Sequence, residues 1–261
     1  MDFNETDFFM YMTTVQAGII RTLIEVLKEV LNDVNLIFDE TGIRVTAMDG
    51  CGVALIHMKL EASKCEEYFC KNKIEVGLNM TSLFKLVKTI SNSDTVSFYI
   101  KEGNKNELGI IISNSDKNSL TNFKIKLLDL DVRDFNIPDV VIECIITMPS
   151  NDFQRMCRDM LNIADTIELS SNKNHSLRVR CEGDFASQET VIGETTHGLV
   201  FSKCDTDVSG NFSLKYLNLF TKSTNLSNTI ELYMKNDYPL ILKYNVADLG
   251  EIRFCLAPKS Q

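Results

Sequence analysis

Apolar residues recur along this chain with two periods, and the places where one period gives way to the other divide it into elements. Over residues 9–15 they alternate loosely, with two threonines and a valine, as in a strand. From 19 to 31 the period lengthens. Ile19, Leu23, Val26, Leu27 and Val30 share one helical face, while Arg21 and Lys28, seven residues apart, share the opposite one. Strands are predicted at 35–39, 42–48, 53–60 and 73–77, with turn signals at Thr41-Gly42 and Asp49-Gly50. Thr81 then opens a second helix as its N-cap, with Leu83, Val87 and Ile90 inward and Lys85 and Lys88 outward. Further strands are predicted at 95–101, 108–113 and 119–127.

Past Pro138 the plan repeats. A strand at 141–148 leads into a helix over 151–164 whose stripe is Phe153, Met156, Cys157 and Met160, with Arg155 and Arg158 facing away. Strands at 166–170, 176–181, 187–192 and 198–204 precede a fourth helix over 213–223. There Leu217 and Phe220 point inward and Lys215 and Lys222 outward, again seven residues apart. Strands at 229–234, 240–244 and 251–256 finish the chain. Each half therefore runs strand, basic-backed helix, strands, basic-backed helix, strands. Duplication of one α+β unit explains this more economically than coincidence. The predicted division is a first domain over 1–126, a connector over 127–144 and a second domain over 145–261. The connector reads LLDLDVRDFNIPD, with Asp129, Asp131 and Asp134 alternating with Leu128, Leu130, Val132, Phe135 and Ile137. Its backbone should be extended, and Pro138 holds Ile137 out of helix. A linker that keeps such bulky apolar side chains either covers something or offers something to a partner.

With 261 residues, 44% of them apolar, the chain can bury the cores of two modest domains. No apolar run approaches the roughly 18 residues of a membrane span, and the start MDFNETDF has no basic leader region, so a soluble intracellular protein is expected. Most of the eight cysteines, such as Cys144, Cys157 and Cys255, sit in apolar periodic segments and read as buried thiols. Cys65 and Cys70 have no second ligand pair, so neither metal nor cofactor is expected. There is no Gly-rich phosphate loop, HExxH or GxSxG, and no enzyme is predicted. The net charge of −9 argues against simple coating of nucleic acid. The four helices depart from that average: their eight outward cations outnumber Glu25, Glu29, Asp152 and Asp159. Residues seven apart on a helix stand about 10 Å apart along its axis, a distance that spans a few duplex phosphates.

The segments VTAMDGCGVALIHMKL, GLNMTSLFKLVK, LDLDVRDFNIPD, MPSNDFQRMCRDM, FSLKYLNLFTKSTNLS, DYPLILKYNVADLG and LAPK carry a resemblance that spans nearly the whole chain. It is similar to the two-domain DNA sliding clamps of the proliferating cell nuclear antigen family. The resemblance implies an α+β clamp fold in which two similar domains each back two helices with antiparallel sheets. It further implies a closed homotrimeric ring around double-stranded DNA, without sequence preference. Arg21, Lys28, Lys85, Lys88, Arg155, Arg158, Lys215 and Lys222 fall on positions of the inner wall, where they would touch phosphates. Met48, Val53, Leu55, Phe135, Ile137, Pro239 and Ala257 match a pocket that receives PIP-box peptides of DNA polymerase, clamp loader, ligase and nuclease. Phe123 and Ile125 on one edge strand, with Phe185 and Val191 on another, match the seam between subunits. Implied, then, is a polymerase processivity factor and docking platform in the nucleus, or at a cytoplasmic replication site if virus-encoded. The alternative is a subunit of a heteromeric checkpoint-type clamp or scaffold. Gly52 and Cys255 depart from the family's larger residues, and Thr22 replaces a basic one.

Overall fold

The computed structural model describes residues 7–131, 135, 140–173 and 175–259. They fall into two compact units. One comprises the described parts of Met1–Gly50, His57–Phe135 and Val246–Glu251, the other those of Cys51–Ile56, Asn136–Asn245 and Ile252–Gln261.

The first unit contains β1 (Phe8–Thr14), α1 (Ala17–Val30), β2 (Asp33–Asp39), β3 (Gly42–Met48) and the later part of β4 (Ala54–Glu61). It continues with β5 (Glu67–Cys70), β6 (Ile74–Asn79), α2 (Met80–Val87), β7 (Thr95–Lys101), β8 (Asn104–Asn114) and β9 (Ser119–Lys126). One antiparallel sheet has the order β5-β1-β7-β8-β9, and β3, β2 and β6 are neighbours in another. The buried face of α1 is Ile20, Leu23, Ile24 and Leu27, which meet Met12, Phe38, Met80, Leu83 and Phe98 in the core. The stripe is therefore rotated from the expected one: Ile20 is buried, whereas Ile19 and Val30 are half-exposed. Asn79, not Thr81, caps α2, its Oδ1 accepting from Ser82 N at 2.9 Å. Such a cap contributes about 1 kcal/mol.

The second unit holds β10 (Cys144–Pro149), α3 (Ser150–Leu161), β11 (Thr166–Asn172), β12 (Ser176–Glu182), β13 (Ser187–Gly193) and β14 (Val200–Cys204). After these come β15 (Val208–Ser213), α4 (Leu214–Phe220), β16 (Thr229–Met234), β17 (Leu240–Val246) and most of β18 (Gly250–Leu256). Its sheets run β14-β10-β16-β17-β18 and β13-β12-β11-β15. Pro149 fits ahead of α3 because it has no N–H to lose from a helix. Ser150 follows, buried, and its hydroxyl donates to Ser227 O at 2.6 Å. Phe153, Phe220 and Phe254 are fully buried, and the rings of Phe220 and Phe254 stack at 4.6 Å. Each such side chain contributes about 1.5–3 kcal/mol. Met156, expected inward, is half-exposed. The fourth helix is shorter than expected: α4 stops at Phe220, and Thr221–Asn225 tightens into a 3-10 turn that carries Lys222. α1 packs on α2, and α3 on α4.

Candidate partner groove, basic helix faces and open edges

Each unit presents a helix pair with cations on its polar side, but the eight residues are not equivalent. Arg21 does not simply face away from the core. Its guanidinium reaches the Ile90 carbonyl at 2.6 Å and so ties α1 to the end of α2. Lys28 pairs with Glu29 and lies over the Phe84 ring, 4.8 Å from its centroid. Lys85 and Lys88 are exposed and have no carboxylate partner among the described residues. In the second unit Arg155 pairs with Asp152 at 3.0 Å and Arg158 with Asp159 at 3.7 Å, both guanidinium side chains being 65% exposed. Ion pairs that open to water hold a charge only weakly, about 0–1 kcal/mol, and can be exchanged for another anion. Lys215 and Lys222 are exposed, one on α4 and the other on the following turn rather than on one continuous α-helix.

The residues singled out for peptide binding separate into two groups. Met48, 42% exposed at the end of β3, and Phe135 line one groove of about 350 Å³ in the first unit. Val34, Ile37, Ala47 and Leu130 add apolar wall, while Asp33, Glu75 and Asp131 put carboxylates among them. The start of the connector is fixed by backbone: Leu128 N donates to Gly77 O at 2.8 Å, and Asn35 Nδ2 to Leu130 O at 3.4 Å. A Cβ on Gly77 would stand 2.2 Å from Leu128 O, so only glycine admits this approach. Val53 and Ala257 meet elsewhere, in the second unit, where Ala257 N donates to Val53 O at 3.0 Å. Leu55 and Pro239 are half-buried there. Ile137 lies outside the described residues. Sequence reasoning did not find Asn35 or Glu75 as groove residues; strand alternation through β2 and β6 was the available signal.

The seam candidates lie on two sheet edges. β9 is the last strand of its sheet, with Phe123 opposite buried Ile110 and Ile125 opposite buried Leu108. Both side chains lean on the core while the outer backbone edge has no strand beside it among the described residues. β13 ends its sheet in the same way. Val191 is on its solvent face, opposite Arg178 and 54% exposed, and Phe185, just before the strand, is 78% exposed. Among the described residues no group of three or more His, Cys, Asp or Glu is placed to hold a metal ion, and no helix is long and apolar enough to cross a membrane.

Two α+β units with basic helix faces, open edges and a grooved connector define a clamp-type architecture, and comparison with known proteins agrees with it. Residues 10–135 match the N-terminal domain of proliferating cell nuclear antigen, and residues 136–259 match its C-terminal domain. The chain belongs to this family of sliding clamps, whose members are non-catalytic processivity factors. It is 39% identical over 262 residues to the probable DNA polymerase sliding clamp 1 of Paramecium bursaria Chlorella virus 1, with 98% of each chain covered.

Proposed function

We propose that three copies of this chain close head to tail into a ring around duplex DNA. The ring tethers a DNA polymerase and serves as a docking platform for clamp loader, ligase and nuclease. Residues 1–126 and 145–261 act as the two clamp domains, joined by 127–144. The observation that carries this reading is the pair of open edges, β9 on one unit and β13 on the other. Two open edges on different halves of a duplication, different in sequence, suit heterologous pairing, which closes into a ring when the rotation allows. Phe123 and Ile125 would meet Phe185 and Val191 across each seam.

On the inner wall, Arg21, Lys28, Lys85, Lys88, Arg155, Arg158, Lys215 and Lys222 would contact phosphates and read no bases, which suits a ring that must slide. The groove beneath the connector would seat the apolar anchors of a PIP-box helix on Met48, Phe135 and Ile137. Val53, Leu55, Pro239 and Ala257, in the second unit, would contribute further apolar contacts to partner peptides. Asp33, Glu75 and Asp131 favour peptides with basic flanks. Its place of action is replicating DNA, in the nucleus or, for a virus-encoded copy, at a cytoplasmic replication site.

Sedimentation of the purified chain at micromolar concentration tests the assembly. A homotrimer is expected, and Phe123→Ala should weaken it by about 2–4 kcal/mol per seam. A monomer that assembles only with other subunits would instead support the heteromeric clamp.

A further inference from the structure

The second unit contains a pair of thiols that neither DNA contact nor peptide docking requires. β10 and β14 run antiparallel, with Cys144 directly opposite Cys204. One residue outward, Asp205 N donates to Glu143 O at 3.0 Å. That bond makes Cys144 and Cys204 a non-hydrogen-bonded pair, the kind in which opposing Cα atoms approach to about 4.5 Å and the side chains leave on the same face. A disulfide spans Cα separations of about 4.4–6.8 Å, so the backbone already meets its requirement. The two thiols interact directly. The register of the strand pair shifts between Ile145 and Ile146, right beside the pair. Such an irregularity gives an edge strand local freedom to adjust.

The two sulfurs differ in access. Cys144 has no exposed surface, while Cys204 is half-exposed. Cys204 Sγ donates to Asn172 O at 3.1 Å and lies 3.8 Å from Ser171 Oγ, both at the end of β11. Among the described residues β14 has one strand neighbour, β10, because it ends its sheet.

We propose that Cys144 and Cys204 form a reversible disulfide that pins the edge strand β14 to β10. With a small disulfide such as oxidised glutathione as the oxidant, the Cys204 thiolate attacks one of its sulfurs and releases one glutathione thiolate. Cys144 then loses its proton and attacks Cys204 Sγ in the mixed disulfide, which releases the second glutathione. The protein gives up two protons and two electrons, and the small disulfide becomes two thiols. Burial pushes the Cys144 thiol up to about 12, so this second step is the slow one. The bridged segment carries α3, with Arg155 and Arg158, and the open edge β13. Oxidation would therefore tether both ends of the part of the second unit that faces DNA and the next subunit in the ring. Reduction would release it.

The full native chain, equilibrated in glutathione buffers of stepped redox ratio, alkylated and digested, gives a direct reading by mass spectrometry. A linked Cys144–Cys204 peptide is expected, with a two-electron dependence on the buffer ratio and full reversal by dithiothreitol. Thermal unfolding of the oxidised protein should rise by about 5 °C or more, because the bridge restrains the unfolded chain. Cys204→Ser should abolish both the linked peptide and the difference between oxidised and reduced melting. Separate alkylation of Cys144 and Cys204 at every ratio would overturn the proposal. So would accumulation of a Cys204–glutathione adduct with Cys144 still free.

Discussion

The connector after β9 and the tail after β18 begin with the same backbone bond and then diverge. Leu128 N donates to Gly77 O on β6, and Lys259 N donates to Asn211 O on β15, each at 2.8 Å. β6 and β15 occupy matching places beside β2 and β11. Beneath each lies a groove, of about 350 Å³ in the first unit and about 590 Å³ in the second. The first is walled by Val34, Ile37, Met48, Leu130 and Phe135. The second is lined by Glu168, Ser209, Asn211, Asn236, Asp237 and Lys259, with Tyr238 as its aromatic. The two halves share this backbone frame, while the side chains beneath it differ. The smaller groove sets apolar side chains, for which burial is favourable, beside its carboxylates, and the larger one has fewer of them.

The most damaging change to this contrast is at Gly77. Gly77→Ala places a methyl 2.2 Å from Leu128 O, and displacing the connector should cost about 1–3 kcal/mol of stability together with peptide binding. Asn211→Ala, at the matching position, should change stability by less than about 0.5 kcal/mol. Urea unfolding of the two variants checks both. Next in size is the anchor itself. Phe135→Ala should weaken a PIP-box peptide by about 1–3 kcal/mol, as should Ile137→Ala, while Tyr238→Ala leaves affinity unchanged in calorimetric titration. Equal losses from Phe135→Ala and Tyr238→Ala would erase the distinction between the grooves.

How far the sequence reveals this depends on the element. Most strands and all four helices are legible, because each keeps its period over five or more residues. β5 escapes notice because Glu67–Cys70 is four residues long and its neighbours are charged. β15 escapes because VSGNFS carries Gly and Ser where apolar residues mark a strand. The stripe of α1 drifts by one residue because IIRTLIEVL offers two adjacent apolar columns, and only packing against Met12 and Phe98 selects Ile20. At the site, the bond from Arg21 to Ile90 O joins residues too far apart in sequence for periodicity to show. The grooves differ through polar residues such as Glu75 and Asp237, which a search for apolar stripes passes over.

The helices are where the two halves remain alike, and a smaller effect per residue is expected there. Ala at Lys85, Arg155 and Lys222 together should leave the fold intact and weaken DNA association about equally for all sequences. The salt dependence should flatten by about 0.9 in log–log slope for each phosphate that is no longer neutralised. A weakening confined to particular sequences would contradict phosphate contact. The halves also differ in one acid-sensitive turn. Burial alone would raise the Asp94 carboxyl, but it accepts from Ser91 N at 2.7 Å and from Asn114 Nδ2 at 2.5 Å. These bonds, with Lys117 nearby, together hold it below the usual carboxylate range. A depressed pKa contributes stability that is present above the unfolded value of about 3.9 and is lost as pH falls through the folded one. Acid unfolding should accordingly lose part of its dependence below about pH 4 in Asp94→Asn, with the first unit affected and the second unchanged by hydrogen exchange.

If this chain encircles DNA, its release must depend on the topology of that DNA rather than on the strength of its phosphate contacts. The chain would be loaded by its clamp loader onto nicked circular DNA, and its retention through a high-salt wash compared before and after the circle is cut. A closed ring stays on the circle at salt that abolishes phosphate contacts and runs off the linear product. Equal retention on both, or equal loss from both, would contradict encirclement.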